Sequence, residues 1–148
     1  MKKLCKNINE TKDFADKILS LAHKKSLKNE KATVVALSGD LGSGKTAMVK
    51  ILGEKCGIKG RMPSPTFVIE KRYRVKKGLP WEKLIHIDAY RLDKESEIIR
   101  LGWNENISNK KNIIFIEWPE NVKKIIPKDA LWVMFSHRGE TARLIETK

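Results

Sequence analysis

No apolar run in this sequence approaches the ~18 residues of a transmembrane helix, so a helical membrane protein is not expected. The opening Met1-Lys2-Lys3-Leu4-Cys5-Lys6-Asn7 has no apolar core of the kind a signal peptide carries. Cysteine is scarce: Cys5 and Cys56 stand far apart and in no metal-ligand spacing. That argues against a disulfide framework or a thiolate metal site and predicts two free thiols in a reducing cytoplasm. No Pro/Gly/Ser-rich linker, internal repeat or low-complexity stretch divides the 148 residues, which predicts one domain over 1–148. Acidic residues are few, 18 against 31 Lys and Arg, for a net charge of +13. Lysine outnumbers arginine and is scattered from end to end. The charge therefore leaves two readings open, a basic face for nucleic acid and a Lys-rich drift of the whole sequence. With 41% hydrophobic and 33% charged residues the composition is that of a soluble globular chain, long enough to build a core.

Against that background one stretch carries chemistry. Val34-Val35-Ala36-Leu37-Ser38 is an apolar β-branched run. Gly39-Asp40-Leu41-Gly42-Ser43-Gly44-Lys45-Thr46 then fits G-x-x-x-x-G-K-[ST] at every required position, and Ala47-Met48-Val49-Lys50-Ile51-Leu52 is helix-forming. Strand, loop and helix are the context that this phosphate-binding motif needs. The glycines let the backbone curl so that successive N–H groups point at phosphate oxygens, and the helix N-terminus adds partial positive charge. Residues Gly39 through Ala47 are thus expected to hold a nucleotide, with Lys45 at the terminal phosphates and the Thr46 hydroxyl on Mg²⁺. The competing reading is an ordinary Gly-rich turn; a chance match at such a composition has a probability of about one per cent.

The rest of the chain reads in order as follows. A short strand is expected over 4–8, then a helix over 11–25 capped by Asn9 or Thr11, with Phe14, Ala15, Ile18, Leu19 and Ala22 at helical spacing. A buried parallel strand covers 33–38, and the helix after the loop ends near Cys56, with Gly57 as a left-handed stop. Arg61-Met62-Pro63-Ser64-Pro65-Thr66-Phe67 is held extended by its two prolines and sits where a switch segment is expected. Ser64 and Thr66 there can offer hydroxyls to Mg²⁺ or phosphate; a rigid connector is the alternative. Strands over 67–75 and 84–87 form an antiparallel pair across the turn at 76–80. A short helix over 93–101 breaks at Gly102. A buried strand over 112–116 ends in Glu117 and is stopped by Pro119. Two closing strands, 131–136 and 142–145, flank the turn at Arg138-Gly139-Glu140. The pattern predicts a three-layer α/β phosphate-loop domain with a mostly parallel central sheet and antiparallel strands added at one side.

Two strand-end acids, Asp88 and Glu117, compete for the second Mg²⁺ role, since in nucleotide-binding sheets a carboxylate at the end of a neighbouring strand serves the metal directly or through water. His86, alternating with apolar neighbours, reads as a packed strand residue. Asn109-Lys110-Lys111-Asn112 has no final acid to pair with guanine, which favours adenine.

Taken together, the phosphate loop, Ser64-Pro65-Thr66-Phe67, His86-Ile87-Asp88-Ala89-Tyr90-Arg91-Leu92, Glu97 with Gly102, and Ile116-Glu117-Trp118-Pro119-Glu120 closely resemble the bacterial TsaE family. These are ATPases that assist threonylcarbamoyl-adenosine formation beside the anticodon of tRNA. The resemblance spans nearly the whole chain. It implies Mg²⁺-dependent ATP hydrolysis, with TsaD and TsaB as protein partners and tRNA modified through them rather than by this chain. It also implies Lys45 and Thr46 at phosphate and Mg²⁺, Glu117 as the second metal-side acid, Asp88 near the attacking water or metal shell, and Thr66 as a switch threonine. Trp118 matches a tryptophan beside the site, and residues 8–11, including Thr11, match a region that lies against the adenine. Ala47 stands where a second threonine is common. Glu140 cannot supply a cationic contact after Gly139, so the roles of Arg138 and Arg143 stay open. Two other classes remain: a small-molecule kinase, for which no lid-sized insertion is present, and a basic RNA-binding phosphate-loop module.

Overall fold

The computed structural model describes residues 1–63, 65 and 69–148. Seven strands form one sheet in the order β1-β7-β6-β2-β5-β4-β3. They are β1 (Lys2–Cys5), β2 (Thr33–Gly39), β3 (Glu70–Arg74), β4 (Lys83–Asp88), β5 (Asn112–Glu117), β6 (Leu131–Arg138) and β7 (Ala142–Thr147). The four central strands, β6-β2-β5-β4, run parallel. Antiparallel strands close both edges, β3 on one side and β7 with β1 on the other. This corrects the expectation of additions at one side only. The closing hairpin of β6 and β7 joins the sheet next to β2, opposite the edge that receives β3.

Two layers of helix cover the sheet because the central strands are apolar on both faces. Along β2, Val35 and Leu37 pack under α1 (Ile8–Lys28) and α2 (Lys45–Lys55). Val34 and Ala36 face the other way, toward α3 (Ser96–Arg100), α4 (Trp103–Ser108) and a kinked 3-10 helix, Pro119–Ile125. Trp81 is the large floor residue of the first layer; its indole N–H donates to Thr33 Oγ1 at 3.1 Å inside the core. Among the described residues no helix is long and apolar enough to cross a membrane.

Several boundaries differ from the sequence reading. Helix α1 starts at Ile8 because Asn7 is the cap: its side chain accepts from the Glu10 N–H at 2.9 Å, while the Glu10 carboxylate accepts from the Lys6 N–H. Thr11 lies inside the first turns, its hydroxyl donating to the Asn7 carbonyl. The Asn7 cap also ends β1 early, at Cys5. Helix α4 and the 3-10 helix were not anticipated; both are too short to show a hydrophobic period. Residues 67 and 68 of the expected third strand, with Ser64 and Thr66, lie outside the described residues.

Both cysteines are free and buried. Burial pushes the Cys56 thiol up to about 11 from an ordinary value near 9, with Lys76 opposing. The folded chain then keeps a proton that the unfolded chain releases, so this group subtracts stability as pH rises from about 9 toward 11 and none below that window. Urea unfolding at neutral pH and at pH 10 is expected to show wild type losing more stability across that interval than Cys56→Ala. Iodoacetamide at pH 8 should label neither thiol until the chain unfolds.

Candidate nucleotide site at the strand ends

The loop after β2 turns on glycines that no other residue could replace without strain. Gly39 has φ +150°, and a Cβ there would meet the Phe135 carbonyl oxygen at 2.6 Å. Gly44, with φ +108°, caps α2, and a Cβ there would run into the Arg143 side chain at 2.9 Å. The loop thus delivers Lys45 and Thr46 at the first turn of α2, with the helix N-terminus facing an open cavity of about 390 Å³.

Strand pairing delivers the acids to the same cavity. Glu117 ends β5, in register with Leu37 of β2 on one side and Asp88 of β4 on the other. Period-two alternation puts Glu117 on the face of Ile113 and Phe115, which is the α2 face. Its carboxylate is 2% exposed and held from two sides. The Thr46 hydroxyl donates to Oε1 at 2.7 Å, and His86 Nε2 lies 2.6 Å from Oε2. Against a carboxylate the ring nitrogen is the donor. His86 is itself 1% exposed, and its Nδ1 has no hydrogen-bond partner among the described residues. Asp88, also buried, accepts from the Tyr90 N–H at 2.9 Å. The loops after β4 and β5 are tied together, with the Ala89 N–H donating to the Glu117 carbonyl and the Asn121 side chain to the Ala89 and Tyr90 carbonyls.

Lys45 folds back on its own loop. Its ammonium donates to the Gly39 carbonyl and, at 2.9 Å, to that of Asp40, and it sits 4.2 Å from the centre of the Trp118 ring. Burial pulls its pKa below the ordinary lysine value, against the opposing pull of Glu117, Glu120, Asp88 and Asp40. Trp118 adopts a left-handed backbone, φ +58°, which turns its ring to meet both Lys45 and Tyr90.

Of the residues singled out from sequence, Leu41, Gly42, Gly44, Lys45, Thr46, Ala47, Asp88, Glu117 and Trp118 line this cavity. Gly39, Asp40 and Ser43 do not; Ser43 is fully buried, its hydroxyl without a partner among the described residues, and Asp40 serves through its carbonyl. Thr11 lines a neighbouring cavity of about 190 Å³ with Ile8, Gly44 and Ala47. Arg143, left without a role by the sequence, lines both cavities, and its Nε is buried without a partner among the described residues. His86 and Asn121 were missed as site residues; the one available signal was a histidine alternating into a strand that ends in an acid.

The donor set fits a phosphate with a hard cation. Thr46 and Glu117 place a hydroxyl and a carboxylate oxygen side by side, and Mg²⁺ takes a few protein oxygens together with phosphate and water. Among the described residues no three His, Cys, Asp or Glu side chains form a metal cluster of their own.

A family profile described as "Threonylcarbamoyl adenosine biosynthesis protein TsaE" matches residues 5–145. The chain belongs to the TsaE family. A TsaE relative from Haemophilus influenzae, named as a tRNA threonylcarbamoyladenosine biosynthesis protein, is 32% identical over 91% of this chain and 78% of its own length. The Streptomyces coelicolor TsaE is 37% identical over 74% of this chain and 72% of its own. Among solved structures, the crystal structure of Bacillus subtilis YdiB superposes with a TM-score of 0.70 at 28% identity, covering 98% of this chain and 82% of that one. TsaE membership and the likeness to YdiB agree with the parallel core and phosphate loop described above.

The two-sided grip on Glu117 has a measurable cost when broken. His86→Phe leaves one buried carboxylate oxygen without a donor, which is expected to lower unfolding free energy by about 1–3 kcal/mol. In a Glu117→Leu background the same change should cost less, and a urea double-mutant cycle reads the difference.

Proposed function

We propose that this chain is a Mg²⁺-dependent ATPase acting in tRNA threonylcarbamoyladenosine formation, with TsaD and TsaB as its protein partners. The observation that carries this reading is the contact between the Thr46 hydroxyl and the Glu117 carboxylate at the mouth of the phosphate loop. In it, loop N–H groups and the N-terminus of α2 hold the phosphates. Lys45 leaves the Gly39 and Asp40 carbonyls to meet the terminal phosphates, and the lysine's low-dielectric setting strengthens that attraction. Thr46 and Glu117 would hold Mg²⁺, which neutralises charge developing on the transferred phosphoryl group. Asp88, one strand further out and already ordered by the Tyr90 N–H, orients the attacking water. The smaller cavity beside Thr11 takes the adenine, and Thr66 keeps the role of switch threonine.

Hydrolysis by the chain alone should be slow. Arg143 is the arginine that lines the phosphate-side cavity among the described residues, and it reaches in from the base side over Gly44. A group supplied from outside to complete such a site is worth ~10³–10⁵ in rate in comparable phosphoryl-transfer systems. Steady-state turnover is therefore expected to rise on adding TsaD and TsaB but not with an unrelated protein of similar charge. Equal turnover alone and in the complex would overturn the partner-completed site.

Calorimetry separates the residue roles. Lys45→Ala should abolish useful ATP binding, and Thr46→Ala should remove most of its Mg²⁺ dependence. Glu117→Gln should weaken Mg-ATP more than metal-free ATP, whereas Asp88→Asn should slow hydrolysis with a smaller loss of binding. ATP should be preferred over GTP. ATP affinity unchanged in Lys45→Ala would contradict the phosphate-loop assignment itself.

A further inference from the structure

A third cavity of the molecule lies far from the phosphate loop, at the N-terminal end of β4. It has a volume of about 650 Å³ and runs under the β3–β4 hairpin. Five cations line it, Arg72, Arg74, Lys76, Lys77 and Lys83, against one acid, Glu82. Glu82 is already engaged by Lys111 at 3.1 Å, and Arg72 by Glu70 at 2.9 Å. The other four cations form no ion pair among the described residues. Arg74 and Lys83 are direct cross-strand partners in the antiparallel register. Like charges placed so, with side chains about 5 Å apart at their roots, repel and destabilise the pair. Four exposed cations without an ion-pair partner among the described residues, gathered along one groove, suit an anion that brings several oxygens at once.

We propose that this groove binds the phosphate backbone of RNA, placing a direct nucleic-acid contact at the end of the sheet opposite the nucleotide site. The choice of RNA over an acidic protein rests on the tRNA-modification role proposed above; the groove itself does not depend on ATP hydrolysis. Lys83 and Asp88 are the two ends of β4, about 17 Å apart at ~3.3 Å per residue, so RNA in the groove leaves the nucleotide cavity clear.

The test uses a fluorescein-labelled anticodon stem-loop RNA and fluorescence polarisation over a range of KCl. The triple change Arg74→Gln, Lys77→Gln, Lys83→Gln is expected to weaken binding about ten-fold or more and to lower the log–log salt slope by about 2–3, the loss of three phosphate contacts. A charge-matched control on the exposed face of α1, Lys12→Gln, Lys17→Gln, Lys24→Gln, should stay within about three-fold of wild type, whereas attraction by net charge alone would weaken both triples alike. Equal losses in the two triples would show attraction by net charge and overturn the proposal. No RNA binding by wild type at low salt would also overturn it, as would polyglutamate that displaces the RNA and binds more tightly. Should the triple variant misfold, the single changes Lys76→Gln and Lys77→Gln, both at exposed positions, decide the matter; wild-type affinity in both would count against the groove. ATP binding measured in parallel should be unchanged throughout. A wild-type chain that binds RNA through the groove but binds no ATP would remove the proposed function and leave the groove standing.

Discussion

A carboxylate buried on a central strand costs free energy unless its oxygens are met, and Glu117 is met twice, by Thr46 on one side and His86 on the other. That small chain of contacts joins three elements distant in sequence: the start of α2, the end of β5 and the inside of β4. It requires β5 to lie between β2 and β4 in parallel register, because only then do the loop threonine and the histidine reach the same side chain. The sheet order is thus more than a way to bury apolar residues; it fixes which oxygen faces the cavity. Oε2 is held inward by the imidazole, while Oε1 shares the cavity mouth with the Thr46 hydroxyl.

How far the sequence reaches follows from which forces are local. The segment from Thr33 to Lys55 was legible because its apolar run, its glycines and the Lys-Thr pair each act within a few residues. The strand ending in Glu117 was legible for a similar reason, with four apolar residues stopped by a proline. The two-sided placement of antiparallel strands was not, since a hairpin states that two strands pair but not which edge of the sheet receives them. His86 shows the same boundary from the site's side. Alternation puts it inside, yet its partner depends on the register of two strands 31 positions apart in the contact they make. Arg143 comes from the last strand and meets Gly44 only because β7, β6 and β2 stand side by side. The Asn7 cap was within reach, since Glu10 three residues on completes the pattern, but Asn9 and Thr11 offered competing caps.

The site combines parts with different freedom. Asp88 and Glu117 are carried by fully paired central strands, and the post-strand loops are cross-tied through Asn121. Lys45 and Trp118 are held by weaker means, an ammonium on two loop carbonyls and a ring in cation–π contact, with a left-handed backbone behind it. In the function proposed above, the acids are pre-positioned, and what moves as phosphate enters is chiefly the Lys45 head-group. Such a division keeps the reorganisation needed on binding small, which favours preorganised charge stabilisation.

The hairpin that closes the sheet beyond β4 has a consequence of a different kind. β3 is an open edge, and an open edge offers unpaired backbone groups to any other strand, including the same strand of a second molecule. Its Arg74, with Lys83 opposite it on the neighbouring β4, adds like charge against that encounter, as do Lys2 and Lys3 on the short β1 edge at the far side. The cations that disfavour the hairpin pairing thus also disfavour pairing with a second copy of the same edge. Neutralising them would ease the strand pair and also remove a charge that disfavours edge-to-edge pairing, so the two effects of the same cations pull in opposite directions.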